Sequence, residues 1–549
     1  MTKKFPQIAE WDWSVPAQLN IGVACTDEQV QKGRGKQLAM IVEDDELGTS
    51  QYTYQQLADA SSRFAAALLD LGIRPQDRIL IRLPNALSYP TAFFGSMKMG
   101  AVAVPTSTLL AGSEVQYLAN DSGARLLVTD KSMWADMAQD LSSCAQLDYV
   151  LLSGEGNMPT LASSGPQLLD MNELMQKTQP LTEFANSSSD DAAYLVYTSG
   201  TTGFPKGVLH AHRTLYGRLP ASEYWFQFTQ DEKERPDRIL HSGKFNWTYV
   251  LGSALMHPLF QGKTVVVDEG VNDATLWPRL IKQHDCTIFI GVPTIYRQII
   301  QKTAFSVEDV PSLRHCMSAG EHLSDEMLQA WKKRFGLEVY EAIGMSEISY
   351  YISQNKYHPI RPGSAGFPQP GHDVHLLDES LEEVGVEQEG MICLPESDPG
   401  LFIRYWNKEA ETAEARHDGW FFTGDFARRD AEGYIWFLGR RDDIINTFGY
   451  RVSPHEVERV MKTHPAVANC VALGEDVGPE KTLVSLCVIL FPDYVVGKNI
   501  DAPSLIEFGA KHLAKYKAPK IIHFMEDFPR TKNGKILRNQ LVTMIGSAE

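Results

Sequence analysis

The chain has 549 residues, of which 43% are hydrophobic, 22% charged and 10% aromatic. That length calls for two or three folding units, and that apolar content excludes disorder as the main state. With 51 Lys+Arg against 69 Asp+Glu the formal net charge is −18, which excludes sequence-independent nucleic-acid binding, because that requires a basic surface to displace counterions from phosphates.

The amino-terminal stretch up to Trp13 holds no apolar signal segment. From there helix and strand patterns alternate. Thr53-Tyr-Gln-Gln56 predicts a capping box, with Leu57, Phe64, Leu68 and Leu71 near helical spacing behind it and Gly72 ending the helix. Arg78–Leu83 reads as a strand, Gly100 closes a second helix, and Ala101–Pro105 and Arg125–Thr129 read as further strands. Such helix–strand units with short connections imply an α/β class with layered, largely parallel sheets. The stretch from Ser153 to Asp190, rich in Gly, Ser, Pro and Asn, reads as a loop between units. An aromatic-rich strand pattern leads into Gly439-Arg-Arg-Asp-Asp443, and a helix–strand–strand–helix–strand series follows. This predicts a large amino-terminal domain over residues 1–441 and a smaller α+β domain over 442–549. Leu483–Phe491, the longest apolar run, reads as a buried strand, since a membrane span needs about 18 continuous apolar residues. Cys25, Cys144, Cys286, Cys316, Cys393, Cys470 and Cys487 are widely spaced and odd in number, with no CxxC, so neither a disulfide framework nor a zinc site is expected. The sequence reads as a cytoplasmic protein, monomer or homodimer.

The strongest chemical signal is Tyr197-Thr-Ser-Gly-Thr-Thr-Gly-Phe-Pro-Lys-Gly207, which follows the apolar strand pattern Ala192–Val196. Gly200, Gly203 and Gly207 let backbone N–H groups converge into an anion nest. Thr198, Ser199, Thr201 and Thr202 add hydroxyls, and Lys206 a point charge, so the loop suits a polyphosphate. It lacks Walker A spacing, and Gly262-Lys-Thr264 fails the same test because His257 stands where the first glycine belongs. His210 and His212 follow the nest and read as structural, since no further ligand cluster supports a metal there.

These residues, with six more motifs in order downstream, resemble the adenylate-forming superfamily of acyl-CoA synthetases, peptide-synthetase adenylation domains and luciferases. Ser318-Ala-Gly-Glu-His322 is similar to the adenine-side loop, which implies nucleotide contacts at Gly320 and Glu321. Glu341-Ala-Ile-Gly-Met-Ser-Glu347 is similar to the segment ending in the magnesium-engaging glutamate, implying Glu341, Ile343, Gly344 and Ser346 at the nucleotide and Glu347 as metal ligand and catalytic group. Trp420–Asp425 resembles the motif whose aspartate holds the ribose hydroxyls. The resemblance further implies Arg440 on the ribose side, Asp442 as hinge, and Gly449 and Arg451 on the first strand of a mobile lid. Lys535, in Pro529-Arg-Thr-Lys-Asn-Gly-Lys535, is implied as the catalytic lysine, with Lys206 beside the phosphates.

The implied activity is that of an AMP-forming carboxylate–CoA ligase, with ATP, Mg²⁺ and coenzyme A as its small-molecule requirements. A carboxylate attacking an anionic phosphorus is helped mainly by positioning and charge neutralisation. Two departures stand out. Ile343 occupies a position where relatives often place an aromatic that stacks on adenine, an aromatic that benzoate-type ligases similarly lack, and Ser346 replaces the commoner threonine.

The acyl side centres on Lys244-Phe-Asn-Trp-Thr-Tyr249. Asn246 stands where amino-acid adenylation domains place an aspartate, which disfavours an α-amino acid. Phe245, Trp247 and Tyr249, with Val292, Ala319 and Met345, are the expected pocket, and the pattern resembles benzoate-type and medium-chain acyl-CoA ligases. Bulky aromatics favour a compact aromatic or short- to medium-chain acid. Lys515 and Lys517 could meet coenzyme A phosphates or simply decorate a helix end. The alternatives are an enzyme that loads a carrier protein and a luciferase-like oxygenase.

Overall fold

The computed structural model describes residues 11–45, 48–159, 165–198, 205–229, 236–269, 273–320, 323–440, 443–447, 450–478, 482–530 and 536–546. Two large sheets dominate. The first runs in spatial order Phe367–Pro368, Ile352–Ser353, Val339–Ile343, His315–Ala319, Ile288–Ile290, Arg238–His241, Thr264–Asp268, Leu38–Asp44 and Gly48–Thr53. The second runs Arg404–Tyr405, Lys206–Ala211, Ala192–Thr198, Val102–Pro105, Arg78–Arg82, Leu126–Asp130, Tyr149–Ser153 and Gln167–Asp170. Their central pairs are parallel and joined through helices, as continuous apolar strands buried on both faces require. A third sheet is built on the antiparallel pairing of Glu389–Pro395 with Trp420–Arg429, to which Ile435–Arg440 adds a strand.

The predicted capping box is present. Thr53 Oγ1 accepts the Gln56 N–H and the Gln56 side chain accepts the Thr53 N–H, opening helix Tyr54–Asp70. That helix buries Leu57, Phe64 and Leu68, each worth about 1.5–3 kcal/mol relative to exposure. Gly72 follows with φ +77°.

The stretch from Ser153 to Asp190 departs from the expected loop. It holds strand Gln167–Asp170, which pairs in parallel with Tyr149–Ser153, and helix Met171–Lys177, capped by Asp170 accepting the Glu173 N–H. Leu168 and Leu169 alone are too short an apolar signal; pairing with the sheet edge supplies the rest of the order.

The apolar clusters of the two large sheets draw on residues between Leu19 and Ile435. Those of the carboxyl-terminal part draw on residues between Ile445 and Ile545. There Val467–Asp476, Thr482–Leu490 and Ile521–Phe524 form one sheet, covered by helices Pro454–Met461, Ala502–His512 and Arg538–Gly546. The last helix lies beyond the series legible in sequence. All seven cysteines are buried free thiols. Among the described residues no helix is long and apolar enough to cross a membrane.

Candidate active site

The site assembles where the second sheet meets the loop after strand Val339–Ile343. Strand Ala192–Thr198 delivers Thr198 in register with Lys206 of the antiparallel neighbour. The short edge strand Arg404–Tyr405 then pairs with that neighbour, setting Tyr405 opposite Val208. The Lys206 ammonium lies 3.5 Å from the centre of the Tyr405 ring, well inside cation–π range, and 3.9 Å from Glu411. On its other side Tyr405 donates its hydroxyl to Glu347 Oε1 at 2.8 Å. Burial and the Glu347 charge push the Tyr405 hydroxyl far above its ordinary pKa, so it remains a donor.

Glu347 is held by its backbone as well, its carbonyl accepting the Phe402 N–H. The turn before it is tight. Met345 N–H donates to the Ile348 carbonyl, and a Cβ on Gly344 would lie 2.3 Å from Tyr350 N, so no other residue fits without displacement. His210 ties this loop to the nest strand. Its Nε2–H donates to the Ser346 carbonyl at 2.8 Å, its ring stacks on Tyr194, and burial drives its pKa to about 3, so it is neutral. His212 Nδ1 accepts the Ile21 N–H. Both histidines are structural, as expected.

On the opposite side of Glu347, antiparallel register places Asp425 against Arg440, with Arg440 Nε 3.3 Å from Asp425 Oδ1. Asp425 is 5% exposed and its backbone N–H donates to Thr423 Oγ1. Against the partial burial that works to lower it, Asp425 and then Glu347 hold the Arg440 pKa above its ordinary value. Tyr351 is buried in the field of the same three charges. Two fixed carboxylates and two cations therefore line one region, with acceptors suited to sugar hydroxyls at one end and donors suited to phosphates at the other. Tyr405 and Tyr351 were not singled out by sequence; Tyr405 sits in an ordinary-looking Arg-Tyr-Trp-Asn run, and only strand pairing reveals its position.

Glu341 faces elsewhere: its Oε1 accepts the Leu323 N–H, which fixes the chain entering helix Asp325–Phe335. Ser199, Gly200, Thr201, Thr202, Gly203, Glu321, Asp442, Gly449 and Lys535 lie outside the described residues, as does the side chain of Arg451.

The expected acyl residues divide. Tyr249 packs with Ala319 and Trp225 on one face of the first sheet. The Trp247 and Tyr249 rings meet edge to face, 5.4 Å apart. A Cβ on Gly320, whose φ is +96°, would find only the tip of the Trp247 ring within reach, at 4.0 Å. Asn246 is half-buried in the same segment, and Met345 and Ile343 pack at the edge of the main core with Trp247. Phe245 is different. It is wholly buried against Tyr89, and its N–H donates to Asn85, so it is a core residue rather than a pocket wall. Val292 packs with the helix-side cluster, away from Ala319 and Tyr249. Lys517 is occupied too, donating to both oxygens of Glu456 at 2.8 and 2.7 Å.

A pair of α/β sheets with a strand-borne lysine, a buried glutamate and an aspartate–arginine pair defines a nucleotide-using enzyme. Comparison places it. Residues 27–406 match the AMP-binding enzyme family and residues 456–535 its C-terminal domain, and the chain belongs to that family. It is 31% identical over 532 residues to a benzoate–CoA ligase of Thauera aromatica, covering 96% of each chain. It is 30% identical to a 3-hydroxybenzoate/4-hydroxybenzoate–CoA ligase of the same organism, covering 94% of this chain and 95% of the other. The anthranilate CoA ligase AuaEII, solved with anthranoyl-AMP, superposes with a TM-score of 0.87 at 27% identity, over 98% of this chain and all of that one. The protein is an AMP-forming acid–thiol ligase, with ATP and coenzyme A as co-substrates.

Proposed function

We propose that this ligase activates an aromatic carboxylic acid, first as its acyl-adenylate with release of pyrophosphate, then as a coenzyme A thioester with release of AMP. The observation that carries the choice of acid is the edge-to-face pair of Trp247 and Tyr249, backed by the buried Trp225, beside the small Ala319 and Gly320, a flat, apolar setting suited to a ring.

In this reading Lys206 and the nest hydroxyls hold the ATP phosphates, and Asp425 accepts the ribose hydroxyls while Arg440 steadies it. The oxygen donors of Glu347 fit Mg²⁺, since Tyr405 fixes one of them in place; the ion would supply charge neutralisation at the phosphates. Residues 442–549 act as a lid pivoting at Asp442. One lid position brings Lys535 to the carboxylate and α-phosphate, the other brings the Gly449–Arg451 strand to the site for thiol attack, a gating step rather than acceleration of chemistry.

The test is ATP–pyrophosphate exchange across benzoates, hexanoate, octanoate and phenylalanine. Exchange with a benzoate at a kcat/KM at least about tenfold above the alkanoates is expected, the discrimination available to a shaped apolar pocket. A preference for alkanoates would overturn the aromatic assignment.

A further inference from the structure

Among the described residues, two polar atoms beside the aromatic pair stand buried without partners. His241 ends strand Arg238–His241 and is 1% exposed. Its Nδ1 accepts the Gly243 N–H at 3.0 Å, which places the ring proton on Nε2. Burial lowers its pKa to about 3, so the ring keeps this neutral tautomer throughout the working pH range. Nε2 is nevertheless without a hydrogen-bond partner among the described residues, and so is the buried hydroxyl of Tyr249. The two rings lie edge to face, 5.1 Å apart. Native interiors rarely leave a donor in this state, and each instance asks what it is for.

The placement answers in part. Side chains alternate along a strand, and Ile239, two residues before His241, joins the cluster of Ala319 and Trp225 against which Tyr249 packs. Leu240, between them, joins the helix-side cluster. His241 therefore projects to the same face as Ala319 and Tyr249, and Tyr249 in turn meets Trp247, which faces Gly320. Among the described residues the unpaired N–H thus lies on the aromatic side of the sheet, beside Tyr249.

We infer that His241 and Tyr249 form a polar subsite for an oxygen substituent on the ring of the acid, so that the substrate is a hydroxylated arenecarboxylic acid rather than an unsubstituted one. The inference rests on the aromatic-acid reading above. A phenolic hydroxyl satisfies both groups at once: its oxygen accepts from His241 Nε2–H, and its hydrogen is donated to the Tyr249 oxygen. A ring hydrogen or methyl at that point leaves both groups unpaired, and a site built to hydrogen-bond a hydroxyl discriminates strongly against the analogue lacking it. Both residues position and select; neither touches the reacting carboxylate in this account.

The experiment compares kcat and KM of the full chain for benzoate and for 2-, 3- and 4-hydroxybenzoate, read as CoA-dependent AMP formation, with hexanoate and octanoate alongside. One hydroxybenzoate isomer should exceed benzoate in kcat/KM by at least about tenfold, mainly through KM. Tyr249→Phe, which removes one oxygen and keeps the ring, and His241→Phe should each lower kcat/KM for that isomer at least about tenfold more than for benzoate. A retained thermal midpoint for Tyr249→Phe shows that the fold survives. Benzoate used as well as every hydroxybenzoate, or variants that depress both acid types equally, would overturn the subsite; the second result would mean that His241 serves the shared carboxylate or only packing. Turnover of alkanoates with no aromatic acid accepted would overturn the aromatic reading itself, and is recognisable as such.

Discussion

Tyr405 links two charged groups at one end of the site, carrying the Lys206 ammonium on its ring face and donating its hydroxyl to Glu347. The ring and the hydroxyl do separable work. Tyr405→Phe keeps the cation–π surface and removes one charge-assisted hydrogen bond, which is worth about 1.5–3 kcal/mol. The expected outcome is a fall in kcat for pyrophosphate release of at least tenfold with little change in KM for the acid; an unchanged kcat would show that Glu347 does not depend on this contact. Little of this was legible in the sequence. Glu347, Asp425 and Lys206 stand in ordered motifs and could be named from the family resemblance those motifs carry, whereas Tyr405 and Tyr351 reach the site only through a two-residue edge strand and a turn that no local pattern announces. Phe245 failed for the converse reason. Its neighbours Trp247 and Tyr249 pack with the aromatic cluster, but the Asn85 contact and the Tyr89 ring hold Phe245 in the core.

Among the elements, the turn Gly344–Glu347 is tightly constrained. It is anchored from the nest strand by His210 and crowded by Tyr350 at Gly344. A Cβ at 2.3 Å from a backbone nitrogen cannot be absorbed by a rotamer change, so Gly344→Ala should displace the turn. We expect a loss of about 1–3 kcal/mol of stability, the range for overpacking, together with loss of adenylation. A variant with wild-type melting temperature and exchange rate would contradict this. Elements with strong local signals, such as the capped helix Tyr54–Asp70 and strands Arg78–Arg82 and Leu126–Asp130, were readable from sequence. Strand Gln167–Asp170 was not, because its order comes from pairing at the sheet edge.

For the whole molecule, burial of neutral histidines sets the response to acid. His210, His241, His257 and His315 have pKa values of about 3, and His212 of about 4, all lowered chiefly by burial. The unfolded chain takes up a proton at each near pH 6.5, while the native state does so only near pH 3–4. The stability they contribute is thus full above about pH 6.5 and is lost as pH falls toward 3, at up to about 1.4 kcal/mol per pH unit per histidine. The depressed carboxylates Asp237, Asp430 and Glu458 act in the same direction. Melting temperature should therefore drop steeply between pH 6.5 and 4 and be nearly level from 6.5 to 8; a flat acid limb would contradict the buried, neutral assignment.

Joining a carboxylic acid to a thiol through an adenylate is the reaction that defines this chain. It is tested most directly by incubating the full-length protein with ATP, Mg²⁺ and a hydroxybenzoate, with and without coenzyme A, and following AMP and the acyl product by mass. AMP and acyl-CoA should form one to one, with turnover only when coenzyme A is present. AMP release that is indifferent to coenzyme A, or adenylate formed but never transferred to it, would contradict the ligase assignment.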